Sequence, residues 1–189
     1  MPPEDWFEPS DELSEEYQVV TRSPGANYRH VVTEADIRDR LGRLPSQLLL
    51  NLDVVCLSGI TRKKSRYPLY GMQWGTTIYL YPMEESLVEN FGRPPTPAQQ
   101  VEAKMFGAQW LHPEPGLWQL VWSESQLRDF YLNNVLIHEL GHLLDERNRN
   151  TTDRERYAEW FAIHYGYKPT RARASTHRGG KHRRRHHRT

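Results

Sequence analysis

The sequence predicts an α+β fold, and three observations carry that reading. Runs rich in β-branched and aromatic residues recur at 52–57, 76–81 and 117–122. Helical patterns sit among them, near 33–50 and 98–110. The last third then turns helical twice, over 125–146 and 152–165, with a polar turn between. A chain of 189 residues suits one domain with tails.

Each element has a local reason. Residues 1–16 carry seven acids and no base, several Pro and no apolar period. They read as a flexible or loosely docked arm. Tyr17-Gln-Val-Val-Thr suits a short strand. Thr33 opens a helix through a capping box with Asp36, and Ile37 and Leu41 line its apolar side. That helix is expected to continue past Pro45 into Ser46-Gln-Leu-Leu-Leu. Leu52-Asp-Val-Val-Cys-Leu reads as a buried strand, followed by the basic turn Arg62-Lys-Lys-Ser-Arg. Thr76-Thr-Ile-Tyr-Leu-Tyr, ended by Pro82, is the clearest strand. Gly92-Arg-Pro-Pro-Thr-Pro and His112-Pro-Glu-Pro-Gly read as rigid loops flanking the helix at 98–110. Leu117-Trp-Gln-Leu-Val-Trp is strand-like, and two helices in a hairpin follow. The folded domain is therefore expected over 17–167.

Composition excludes several classes. No apolar run approaches the ~18–20 residues of a membrane span. The acidic start lacks the basic-then-apolar order of a secretory leader. The single Cys56 rules out an intrachain disulfide framework and reads as a small buried hydrophobe. These features point to a cytoplasmic protein. The formal net charge of +1 hides an asymmetry. Residues 168–189 hold nine of the 25 Lys and Arg and no acid; the preceding 167 residues carry 16 bases against 24 acids. The segment 168–189 reads as a disordered basic tail, able to attract nucleic-acid phosphates, an acidic partner or the acidic arm.

The chemistry concentrates in Val135-Leu-Ile-His-Glu-Leu-Gly-His-Leu-Leu-Asp. It contains His-Glu-x-x-His at His138, Glu139 and His142. Residues four apart on a helix share a face, so both imidazoles can reach one metal ion. Glu139 stands one step round, where a carboxylate can take a proton from zinc-bound water and pass it to a leaving amine. Leu136, Ile137, Leu140, Leu143 and Leu144 bury the helix. Two imidazoles and a carboxylate in such a helix are costly without partners, an objection zinc removes. Gly141 costs helix propensity but lets another backbone approach.

A catalytic zinc usually takes a third protein ligand. No Gly or His stands at the continuation positions, where Asp145 and Asn148 fall. Glu155, Glu159 and His164 on the next helix are the candidates. If the first helix ends near Arg147 and the second starts near Asp153, the return path regains the level of His142 at Glu159. Glu159 is therefore the expected ligand, with Glu155 the alternative. Thr152-x-x-Glu155 also reads as a capping box. Asp145, one turn after His142, is a candidate to orient an imaidazole from behind, as is Glu155. Tyr157, His164 and Tyr165 are candidate oxyanion donors.

These two segments resemble the gluzincin branch of the zincin metallopeptidases, in which the motif helix is followed by a glutamate helix. Tyr157-Ala-Glu-Trp-Phe-Ala is similar to the Glu-x-Phe-Ala ligand segments of lethal-factor-like and Pro-Pro endopeptidases and of the aminopeptidases with a Glu-Gly-Phe-Ala segment, a minigluzincin-like resemblance. His138-Glu-Leu-Gly-His-Leu-Leu-Asp resembles the lethal-factor-type motif helix. A second register, Arg154-Glu-x-x-Ala-Glu, resembles the membrane-associated and antirepressor-cleaving types and would make Glu155 the ligand. The resemblance covers about residues 135–165. It implies a zincin-like domain with a small mixed twisted sheet, an active-site helix and a glutamate helix, and one zinc ion (Zn2+) per chain. It also implies an edge strand above the metal that pairs with an extended peptide or protein substrate. Thr76, Thr77, Ile78 and Tyr79 are the candidates for that strand. The expected activity is zinc-dependent hydrolysis of a peptide bond. The rival readings are a catalytically silent binding or regulatory module, and a protease carried to nucleic acid by its tail.

Overall fold

The computed structural model describes residues 3–4, 16–62, 64 and 68–172. The expected tail beyond Ala172 and residues 5–15 of the expected acidic arm lie outside the described residues. The chain is mixed α+β. In order it forms β1 (Gln18–Thr21), β2 (Tyr28–Arg29), α1 (Glu34–Leu41), β3 (Val54–Leu57), β4 (Gly71–Trp74), β5 (Thr77–Leu80), β6 (Met83–Glu84), β7 (Val88–Phe91), α2 (Pro97–Phe106), β8 (Gln109–Glu114), β9 (Leu117–Val121), α3 (Glu124–Phe130), α4 (Leu136–Leu144) and α5 (Thr151–Phe161). A π-helical turn, Tyr131–Val135, joins α3 to α4 into one rod, and a second, Ala162–Tyr167, extends α5. No described helix is long and apolar enough to cross a membrane.

The main sheet runs β1-β3-β5-β4. β1, β3 and β5 are parallel, and β4 pairs antiparallel with β5. This corrects the expectation that Thr76, Thr77, Ile78 and Tyr79 form the exposed edge. β5 has a neighbour on each side, and all four of its residues are buried. An unbroken Thr-Ile-Tyr-Leu run suits a strand covered on both faces. The edge strand beside β5 is β4, Gly-Met-Gln-Trp, which carries no clear strand pattern in the sequence; β1 forms the other edge.

β4 has a defined outward side. Tyr81 N–H donates to Tyr70 O, which sets the phase of the antiparallel ladder. Bonded and non-bonded pairs alternate from there, so Gly71 and Gln73 turn their amides and carbonyls away from β5. α4 packs against β4 and β5, and α5 packs against α4. Between helices and sheet lies the main core, including Ile37, Val55, Ile78, Leu80, Phe130, Leu136, Leu140 and Phe161. Val54, Cys56, Tyr79 and Tyr81 cluster on the sheet's other face.

The caps explain where helices start and stop. Thr33 closes α1 through the expected box with Asp36. Pro45 prevents a continuous helix, and Ser46–Leu49 form a separate 3-10 turn. α2 stops at Gly107, whose φ of +86° ends the helix four residues before the expected limit. Chain expected as helix end and rigid loop instead forms β8, the edge of the antiparallel sheet β7-β9-β8.

The first five residues of the segment expected as a tail, 168–172, are helical. Helix continues from the second π-helical turn to Ala172, so 168–172 are not a loose tail. The physical cause is Arg171, which donates to Asp129 at 2.6 Å and lies over the Tyr167 ring at 4.6 Å. At the other terminus Pro3 is buried, and Glu4 accepts from Arg62 N–H at 3.0 Å.

Candidate metal centre

α4 presents His138 and His142 on one side, one turn apart, with ring centroids 4.7 Å apart and planes at 79°. α5 brings Glu155 to both. Its Oε2 lies 3.4 Å from His138 Nε2 and its Oε1 lies 3.5 Å from His142 Nε2. Donor atoms of the three residues fall within 4.8 Å of one another. Ligands at about 2.0–2.1 Å from a tetrahedral zinc stand roughly 3.3–3.5 Å apart, so both carboxylate spacings fit a shared ion. Two imidazoles and one carboxylate are also a donor set that zinc takes in hydrolytic sites, leaving one position open.

The structure thus brings Glu155 to the histidines and leaves Glu159 out. Glu159 is exposed, and its charge acts on Glu102. The difference follows from the helix ends. α4 stops at Leu144, three residues before the assumed Arg147, and α5 starts at Thr151, two before the assumed Asp153. The return path is shorter, so the level of His142 is reached one turn earlier. The expected capping box on Thr152 is also absent. Asn150 caps α5, its Oδ1 accepting from Asp153 N–H at 2.9 Å, which leaves Glu155 clear of a capping role.

The α4–α5 seam holds this geometry. A Cβ built on Gly141 would stand 3.0 Å from Ala158 Cα and 3.1 Å from Phe161 Cβ. The helices approach as the glycine implied. Asp145, expected behind an imidazole, turns to the loop instead. Its Oδ1 accepts from Asn148 N–H at 3.1 Å and from Arg147 N–H at 3.3 Å. It closes the end of α4, where φ and ψ of −82° and 86° leave the helix.

Glu139 is buried beneath β4, and its carboxylate accepts a hydrogen bond from Gln73 N–H. Burial raises its pKa to about 8; the Gln73 bond opposes this, and the charge of Glu155 adds to it. Burial and the neighbouring His142 lower His138 to about 4, against the pull of Glu155. Burial also lowers His142, with Arg154 acting in the same direction. Both imidazoles are therefore neutral at pH 7, the state a metal ligand requires.

The site opens into a cleft of about 400 Å3 lined by Leu69, Gly71, Met72, Gln73 and Arg154 beside the histidines, Glu139 and Glu155. Arg154, which also reaches His142 O at 3.2 Å, is the cleft's cation. Sequence reading missed its role, although the Arg-Glu-x-x-Ala-Glu register contains it. Tyr157, His164 and Tyr165 do not line the cleft. They stack around Trp160 and Phe161 on α5 and its π-helical extension. Comparison with known proteins finds no matching family model, no matching curated protein and no matching solved structure.

Proposed function

We propose that this chain is a zinc-dependent peptide hydrolase of the gluzincin-like kind, with His138, His142 and Glu155 as metal ligands and Glu139 as general base. The observation that supports it best is the placement of both Glu155 oxygens beside the two Nε2 atoms, at spacings suited to one ion. When bound, zinc would acidify a water molecule and polarise the scissile carbonyl.

The chain's own groups supply the rest. Glu139 sits within the cleft wall next to His138, where its carboxylate can accept a proton and return it to the departing amine. Gln73 N–H holds that carboxylate in place. The outward Gly71 amide and the carbonyls of Gly71 and Gln73 offer an extended peptide a strand edge to pair with, the Gln73 amide being engaged by Glu139. Arg154 offers positive charge at the same cleft, for an oxyanion or a substrate carboxylate.

The decisive experiment combines metal analysis with cleavage of a peptide library. Natively purified protein should carry about one zinc per chain, and Glu139→Gln should keep it while losing cleavage. Protein that cannot be loaded with metal, or a metal-loaded wild type that cleaves nothing, overturns the proposal.

A further inference from the structure

A second recess, of about 210 Å3, adjoins the cleft at Gly71, and Arg154 lines the cleft but not the recess. The two cavities share Leu69, Gly71, His138 and Glu139, so the recess begins where the reacting bond would lie. Its wall is mixed: Pro68, Leu69, Tyr70, Phe130 and Val135 form an apolar side, and Asn134, His138 and Glu139 are polar. Away from the proposed metal ligands and base, the recess holds one further carboxylate. Glu102, on α2, points a half-buried carboxylate to this wall, and Asn134 Nδ2 fixes its Oε1 at 2.8 Å. Among the described residues no Lys or Arg pairs with it. Burial holds the Glu102 carboxyl above its usual range, with the charges of Glu159 and Glu89 acting in the same direction against the Asn134 bond. An incoming cation would relieve both.

We infer that this recess selects a substrate with a lysine or arginine side chain beside the scissile bond, read by Glu102. The inference rests on the peptide-hydrolase reading above. A long basic side chain matches such a wall, with its methylene stem on the apolar residues and its charged head on the carboxylate. In an extended substrate on β4, neighbouring side chains alternate in direction, so only one position next to the reacting bond can enter. Arg154, which lines the main cleft and not the recess, disfavours a basic residue in that part of the cleft. The cleft is electrostatically directional, accepting the basic residue on one side of the bond and not the other.

The test uses zinc-loaded, full-length protein and short peptides in which a single lysine, or norleucine in its place, is moved through each position. One lysine position should raise kcat/KM about tenfold over norleucine, the scale of a charge-assisted hydrogen bond to a partly buried group. Glu102→Gln should bring that ratio close to one while norleucine peptides are still cleaved, and Glu102→Asp should restore part of it. Cleavage without a lysine preference, or a preference that survives Glu102→Gln, overturns the inference and leaves the hydrolase reading standing. Absence of any cleavage overturns the hydrolase reading. Binding then decides the inference: labelled lysine and norleucine peptides are compared by anisotropy on zinc-loaded Glu139→Gln protein. Equal affinities overturn it, and a lysine preference lost in Glu102→Gln supports it.

Discussion

Gly71 lies directly against Glu139. A Cβ built on Gly71 would stand 2.9 Å from Cγ and 3.0 Å from Oε1 of that glutamate, and 2.7 Å from Val135 Cγ1. The strand thus passes over the motif helix only because it lacks a side chain there. Gly71→Ala should displace the Glu139 carboxylate from Gln73 N–H. We expect a stability loss of about 1–3 kcal/mol, as for overpacking, and a larger fractional loss of cleavage than of bound zinc. Thermal melts, metal analysis and peptide cleavage on one preparation check this; unchanged cleavage would show that the contact does not position the base.

The third ligand can be decided by two substitutions. Glu155→Ala should weaken zinc binding by more than about 100-fold, beyond what outer-shell changes usually do. Glu159→Ala should leave it nearly unchanged. Competition with a chelator measures both, and the reverse order would return the ligand role to Glu159.

Glu139→Gln removes the proton acceptor while keeping size and shape. Zinc content should persist, and kcat should drop by about 100- to 10,000-fold, the range of a lost general base. Single-turnover assays with chelated controls separate this from metal loss.

The metal-free protein should have an asymmetric pH profile. Glu139 has a folded pKa of about 8 against an ordinary 4.5, so the folded state holds its proton and stability falls as pH rises through that interval. His138 is lowered to about 4 from 6.5, so the unfolded chain binds the extra proton and stability rises with pH across that interval. The two slopes oppose each other between 4.5 and 6.5. From 6.5 to 8 only the Glu139 slope remains, amounting to at most about 2 kcal/mol. Urea unfolding of chelated protein at pH 6.5 and 8 should show that decline, and Glu139→Gln should abolish it.

Gly166 is the tightest contact between the two π-helical turns. A Cβ there would lie 2.0 Å from Asn133 O. Asn133 also accepts from Arg40 Nε at 2.6 Å, and Arg40 donates to Tyr165 O at 2.6 Å. Gly166→Ala should therefore cost about 3 kcal/mol or more and uncouple α1 from the end of the chain. Denaturant titration beside Gly92→Ala, which meets no neighbouring atom and like Gly166 has no positive φ, isolates the clash.

Local pattern was enough for much of the frame. β1, β3, β5 and β9, the box at Thr33 and the long rod through His142 were all legible, because alternation, caps and 3.6-residue spacing are short-range properties. β4 was not, since Gly-Met-Gln-Trp has weak strand character and depends on pairing with β5. β8 was hidden by its Pro and Gly surroundings, and the recess joins Glu102 to residues far away in the chain.

The sequence by itself determined that His138 and His142 share a face and that a glutamate-bearing helix follows, because one helical turn is the same length in any fold. The packing of distant segments decides which glutamate arrives, and which strand forms the sheet edge beside it. Those outcomes depend on Asp145 ending one helix early, Asn150 starting the next, and β3 covering the inner side of β5. Each is a relation between distant segments that no local periodicity encodes.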